Sequence, residues 1–416
     1  MIKILLLSAG IAICVLNIAA QPDCSKTSTG LIPINDLGKG TYNGWSGGLY
    51  PNGSNHMPAA HKNAGLALSS QIRPLDQNGN SDSNGKIVWL SIGMSNATQE
   101  TQAFIKLTDT LSNKNPKLKL VDGAVGGKTA RIISSPGNTQ YTQYWDVVYQ
   151  RLGNAGVSPN QVQVIWYKED NPAGSPVPTP LPAHFDSLLV QSKRIMNEIK
   201  NRFPNAKLAY IASRIYAGYA TTPLNPEPYA YQNGWTMKKL IEDQINGDPR
   251  LQYKGPGPNS PWLSWGVYLW GDGTNPRSDG LTWTCPDDFQ NDGTHPSPAG
   301  SLKVARMLLN FFKSDSTTCS WFLNNCNLTT GFKSTGFEQE LYIYPNPFSS
   351  MVSIKSEKPL EDASIMVYNG TGQEVKKMQG VWGNNIQIDF SGLSGNLFFI
   401  AARSGNEYTT RKIIKE

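Results

Sequence analysis

Charge is scarce in this chain. Asp, Glu, Lys and Arg make up 16% of 416 residues, and 37 Lys+Arg against 31 Asp+Glu leave a net charge of +6. That excess is spread along the chain with no dense basic run, so the electrostatic footprint of a nucleic-acid-binding surface is missing and nucleic acid is not expected as a partner. Histidine is scarcer still: His56, His61, His184 and His295 are the full set. There is no Cys-x-x-Cys, and no His is spaced with a Cys as a ligand pair, so neither a metal nor a cofactor is expected. The apolar stretch Ile4 to Val15 is too short for a stop-transfer helix, and the chain after it offers no transmembrane segment. What remains is a globular balance, 39% hydrophobic and 10% aromatic, in a chain long enough for two or three folding units.

Residues 1–20 read as a secretory signal, with Lys3 as the positive end, the apolar stretch behind it and Ala19-Ala20 before the cleavage point. Cys14 lies inside that signal, preceded by Ile13 rather than by the small residue that lipoprotein processing needs. Cys24, Cys285, Cys319 and Cys326 are left, an even set in a chain bound for an oxidising compartment, which predicts two disulfides. Sequence does not choose among the three pairings of four cysteines; Cys319–Cys326 with Cys24–Cys285 is the one adopted as an expectation.

Residues 21–85 are rich in Gly, Asn, Ser and Pro and predict an irregular N-terminal extension. From Lys86 short β-type runs alternate with amphipathic helices. KIVWLSI (86–92), KLKLVD (117–122), VQVIWY (162–167) and LAYIAS (208–213) are the strand candidates, and helices are expected over Phe185–Phe203, about 234–246 and 299–313. This alternation predicts an α/β domain over 86–326, a parallel sheet with helices on both faces and a site beyond the C-terminal strand ends. Residues 327–340 read as a polar linker, and 341–416 hold short alternating runs that predict a small all-β unit.

Three motifs fall where such a sheet places chemistry. Gly93-Met94-Ser95-Asn96 follows the first strand, so Ser95 would sit on a strand-to-helix turn with its N–H at a helix N-terminus. Ser and Asn also cap helices, which is the competing reading. Gly126-Gly127 follows the second strand, where glycine lets the main chain approach a substrate. Asp292-Gly293-Thr294-His295 precedes the last helix; an Asp three residues before a His can turn back to one ring nitrogen and leave the other as a base. Trp262, Trp265, Trp270 and Trp283 crowd a Pro/Gly-rich stretch that also holds Tyr268, Asp272, Arg277 and Asp279. Read as loop residues, Trp265 and Trp270 are candidate platforms for sugar rings, with Asp272 and the neighbouring Arg277 and Asp279 binding hydroxyls or an acidic sugar; the alternative is that they cover the core.

Together these blocks, in this order over about residues 86–313, resemble the SGNH (GDSL-like) hydrolases. GMSN is similar to the GQSN variant of several carbohydrate esterases, with Met94 in place of Gln, and AVGGKTAR is similar to the AVAGRSAR of rhamnogalacturonan acetylesterases. The resemblance implies a three-layer α/β/α, flavodoxin-like fold. It assigns Ser95 as nucleophile, His295 and Asp292 as its partners, and Ser95, Gly127 and Asn171 as the oxyanion hole. Where the family has G-x-N-D, this chain has Glu169-Asp170-Asn171-Pro172, so Asn171 stands without its flanking Gly and Asp. The tail resembles the type A sorting domain of type IX secretion, a small β-sandwich, on Tyr344-Pro345-Asn346-Pro347-Phe348, Gly370-Thr371-Gly372-Gln373, Leu393-Ser394-Gly395-Asn396 and Lys412-Ile413-Ile414. Taken together, the resemblances imply a secreted or surface esterase acting on O-acyl groups, O-acetyl above all, of a polysaccharide or oligosaccharide, with the type IX machinery as partner. The alternatives are a non-catalytic carbohydrate-binding or adhesion protein on a decayed scaffold, and acyl transfer between sugars.

Overall fold

The computed structural model describes residues 21–172, 181–326, 341–370, 373–404 and 407–416. The expected signal of residues 1–20, residues 173–180 of the proline-rich stretch and the expected linker 327–340 lie outside the described residues. The chain divides into two compact units, with the boundary along the sequence after Cys326.

The first unit is built on five parallel strands: β1 (Ile87–Gly93), β2 (Leu118–Asp122), β3 (Val162–Lys168), β4 (Leu208–Ala212) and β5 (Trp262–Val267). Their order is β2-β1-β3-β4-β5, the doubly wound arrangement whose switch point lies between β1 and β3. β1, β3 and β4 are buried at every residue, as strands covered on both faces must be, which is why apolar residues dominate them in the sequence, with Ser91, Gln163 and Lys168 as polar exceptions. Successive side chains of a strand point to opposite faces, and their partners identify the layers. On one face the Trp89 ring lies 5.5 Å from Phe104 of α2 (Ser95–Asp109) and 6.0 Å from Phe312 of α6 (Pro298–Ser314), Trp166 stacks on Trp89, and Tyr210 meets Phe312. On the other face the Tyr167 hydroxyl bonds Ser192 of α4 (Leu181–Arg202) at 2.9 Å, and α4 packs against α5 (Tyr229–Ile245). Helix α3 (Tyr141–Asn154) completes the βα alternation between β2 and β3.

Two sequence expectations need correction. The stretch around Trp262 and Trp265 is not a loop: Trp262–Val267 is β5, the edge strand of the sheet, paired with β4. Its apolar run escaped notice because Ser264 and Gly266 interrupt it among flanking prolines and glycines. The N-terminal extension is not wholly irregular either, since Ala59–Ser69 forms helix α1, which lies over the β5 edge. There the ring of Trp262 fills the space of the missing Cβ of Gly65, and His61 Nε2 lies 2.8 Å from the Leu263 carbonyl.

The disulfides pair Cys24 with Cys285 and Cys319 with Cys326. The first joins the N-terminal segment to the loop before α6; the second closes the end of the unit.

The tail unit is an antiparallel sheet of β6 (Leu341–Tyr344), β7 (Met351–Asn369), β8 (Glu374–Asp389), β9 (Leu397–Ser404) and β10 (Glu407–Ile414), in the order β8-β7-β9-β10 with β6 also on β7. The short runs expected from sequence are the halves of two long strands, interrupted by register shifts between Glu374 and Asn385. Val352, Ile354, Ile365, Val367, Ile388, Phe398 and Ile400 share one core. Among the described residues no helix is long and apolar enough to cross a membrane.

Candidate active site

The three sequence motifs converge at the C-terminal edge of the sheet. Gly93 ends β1 in a position only glycine can occupy, because a Cβ there would fall 2.3 Å from the Lys168 carbonyl and 2.6 Å from the Ala97 side chain. The chain then turns into α2, whose first helical bond runs from Thr98 N–H to the Met94 carbonyl at 3.0 Å. Ser95 is therefore the first helical residue, and its N–H belongs to the helix N-terminal set that has no partner within the helix. Gly126 and Gly127 occupy the middle of a turn closed by Lys128 N–H to the Val125 carbonyl at 3.2 Å. Gly127 has φ of +74°, as the third residue of such a turn requires, and space is open where its Cβ would be.

His295 arrives from the last loop. Ser297 caps α6 by accepting from the N–H groups of Ala299 and Gly300 at 3.1 Å each, with Pro298 opening the helix. Ahead of it, Asp292 Oδ1 accepts from the Thr294 and His295 N–H groups at 3.0 and 2.9 Å, which folds the carboxylate back under the imidazole. Its Oδ2 meets His295 Nδ1 directly. His295 Nε2 lies 2.7 Å from Ser95 Oγ, completing a chain of contacts over residues 200 apart in sequence. The Asn96 amide donates to the Thr294 carbonyl at 3.1 Å and ties the two loops together. Burial opposes ionisation of Asp292, but the hydrogen bonds from the His295 ring and from the two N–H groups outweigh it and hold its pKa at about 2. The carboxylate is thus charged across the neutral range.

These groups open on a cavity of about 330 Å³, lined by Ser95, Gly127 and His295 and, from elsewhere in the chain, by Thr129, Arg214 and Asn225. No cluster of His, Cys, Asp and Glu able to hold a metal ion occurs among the described residues.

Asn171 is not positioned as the resemblance implied. It is buried, its Oδ1 accepts from Arg131 N–H at 2.9 Å and its Nδ2 donates to Gln191 Oε1 at 2.6 Å, so the amide braces the loop against α4 and does not line the cavity. Trp265, Trp270 and Asp272 are not in the cavity either. Trp265 donates to the Leu49 carbonyl at 2.7 Å and Trp270 to Glu227 at 2.8 Å, both rings being buried. Asp272 accepts from Ser28 Oγ, from Thr29 N–H and Oγ1 and from Gly30 N–H at 2.5 to 3.2 Å, pinning the N-terminal segment. The core-cover alternative describes this region.

Sequence reasoning passed over Arg214 and Asn225. Arg214 lies two residues beyond the end of β4, and a charged residue close after an apolar strand at the ligand-binding edge was an available signal. Asn225 sits in a Pro-rich loop with φ of +58°, which sequence does not announce.

No curated protein matches the chain. Among solved structures, a protein from Parabacteroides merdae described as a GDSL-like lipase is 10% identical over 58% of this chain and 97% of its own, with a TM-score of 0.28. A gut microbial diltiazem-metabolizing enzyme is 9% identical over 71% of this chain and 70% of its own, with a TM-score of 0.31. A protein from Bacteroides vulgatus with an immunoglobulin-like β-sandwich fold is 14% identical over 18% of this chain and 83% of its own, with a TM-score of 0.17. Likeness at this level carries no argument about chemistry. The tail is different: residues 342–416 match the secretion system C-terminal sorting domain, and that domain directs the chain through type IX secretion to the outer membrane or cell surface.

Proposed function

We propose that the first unit is a serine esterase of the SGNH (GDSL-like) type, acting outside the cell on O-acyl groups, O-acetyl in particular, of a carbohydrate. The observation that carries this reading is the unbroken contact from Ser95 Oγ through His295 to Asp292 at the mouth of a cavity. In this reading His295 Nε2 takes the Ser95 proton as Oγ attacks the ester carbonyl, and the ionised Asp292 steadies the imidazolium through Nδ1–H. The N–H groups of Ser95 and Gly127 receive the oxyanion. Collapse of the tetrahedral intermediate returns the proton to the departing sugar hydroxyl; water, activated by the same imidazole, then releases the acid from the acyl-serine. Asn171, committed to Arg131 and Gln191, has no part in it, so the hole rests on two main-chain donors.

The cavity is at the small end of the usual 300–1,000 Å³ for ligand sites, in keeping with one acyl group and part of one sugar ring. Glycan binding without chemistry has no need of a serine held against a carboxylate-backed imidazole, and the aromatic platforms that favoured it are buried. The test is hydrolysis of 4-nitrophenyl acetate by the mature full chain beside Ser95→Ala and His295→Ala. Loss of turnover in both folded variants supports the esterase; retained turnover in both rejects the mechanism.

A further inference from the structure

Lys168 and Glu100 form a buried ion pair that the proposed mechanism does not use. Lys168 Nζ donates to Glu100 Oε1 and Oε2 at 2.6 and 2.7 Å, and the two side chains are 2% and 0% exposed. A pair taken so fully out of water is a weak source of stability. Desolvation of the two charges offsets much of their attraction, and well-packed apolar side chains of similar volume often serve as well or better. The cost shows on both partners: desolvation raises the Glu100 pKa and lowers that of Lys168 to about 8, each against the pull of the other.

Where the pair sits is what distinguishes it. Lys168 is the last residue of β3 and the register partner of Gly93 at the end of β1. A Cβ on Gly93 would fall 2.3 Å from the Lys168 carbonyl, so the two main chains meet there with no side chain between them. The ammonium of the same lysine reaches Glu100 in α2. One residue therefore holds the chain on both sides of the nucleophile turn, through its main chain ahead of Ser95 and through its side chain after it. Between those anchors lie the Ser95 N–H and the Ser95 Oγ, 2.7 Å from His295 Nε2. The Asn96 amide secures the same turn to the histidine loop through the Thr294 carbonyl.

We propose that Glu100 and Lys168 are positioning residues, which fix the start of α2 on the end of β3 so that Ser95 Oγ stays in reach of His295 and the Ser95 N–H stays aimed at the oxyanion. This rests on the esterase reading and adds to it two residues that touch neither substrate nor reacting atoms. No proton or bond changes hands at the pair; it acts through geometry alone.

The experiment sets the mature full chain beside Glu100→Met/Lys168→Met, which exchanges the pair for two unbranched apolar side chains, and Glu100→Asp, which keeps both charges and withdraws the carboxylate by one methylene. Thermal melts are read together with steady-state hydrolysis of 4-nitrophenyl acetate. The double variant should melt at or above the wild-type midpoint and still lose about 10²-fold in kcat, the scale of a 1 Å misplacement. Its kcat and kcat/KM should fall together, as for an interaction expressed in the transition state. Glu100→Asp should lose rate in the same pattern by a smaller factor. Wild-type rates in a folded double variant overturn the proposal and leave the esterase reading intact. A loss of rate no greater than the loss of folded protein overturns it as well. If the double variant does not fold, Glu100→Asp decides by the same criteria. If the wild type cleaves nothing, the esterase reading falls, and crystal structures of the wild type and a folded variant decide: Ser95 Oγ drawn away from His295 Nε2 upholds the positioning role, and an unmoved Ser95 overturns it.

Discussion

Two arginines are buried in the first unit, and they are treated in opposite ways. Arg277, in the loop after β5, donates from Nη1 to the Tyr268 and Trp270 carbonyls at 2.8 and 2.9 Å, forms a two-point pair with Asp279 at 2.8 and 2.6 Å and lies 5.4 Å from the centre of the Tyr268 ring. Arg214, after β4, is as buried and lines a cavity, but its Nε and Nη2, sealed from solvent, have no hydrogen-bond partner. In sequence the Arg277 loop looks the more functional of the two, with its tryptophans and carboxylates. Its polar groups are instead spent on one another: Trp283 Nε1 donates to the Leu269 carbonyl at 2.9 Å and Trp270 Nε1 to Glu227. Residue type alone does not distinguish scaffold from cavity lining in this molecule; the partners each side chain finds do.

The sharpest way to break that comparison is at the proposed triad. Ser95→Ala and His295→Ala should each lower esterase kcat by at least about 10⁴-fold with little change in thermal midpoint, and Asp292→Asn by about 10³- to 10⁴-fold, read by steady-state kinetics and thermal melts. Next come the arginines. Arg277→Met strands two carbonyls and should cost about 1–3 kcal/mol in denaturant unfolding. Arg214→Met removes an unpaired buried charge and should leave stability within about 1 kcal/mol of wild type or raise it. Equal destabilisation by both would erase the distinction. The smallest effect concerns Glu227, half-buried, where desolvation outweighs the hydrogen bonds from Ala217, Trp270 and Tyr231 and lifts its pKa from 4.5 to about 7. The folded state then keeps a proton that the unfolded chain has already released, so its share of stability falls as pH rises from 4.5 through about 7. Glu227→Gln should flatten that slope in thermal melts taken across the window.

Much of the sheet could be read directly because β1, β3 and β4 are buried on both faces and appear as predominantly apolar runs that follow turn-forming segments. β5 could not, since as an edge strand it carries Ser264 and Gly266, and its tryptophans turn to α1 and the Leu49 carbonyl rather than to solvent. Ser95, Gly127, Asp292 and His295 were legible because each sits at a turn with local spacing constraints. The diversion of Asn171 depends on Gln191, twenty residues further on in α4, and a side-chain partner at that distance leaves no local mark. Arg214 and Asn225 needed the cavity to be seen, because an absent partner is a property of packing.

The most direct test of the account is covalent labelling of the mature full chain with a serine-directed fluorophosphonate, followed by intact-mass and peptide mapping. The account predicts one adduct, on Ser95, lost in His295→Ala although the serine is still present. A folded chain that takes no label, or takes it at another serine, would contradict it.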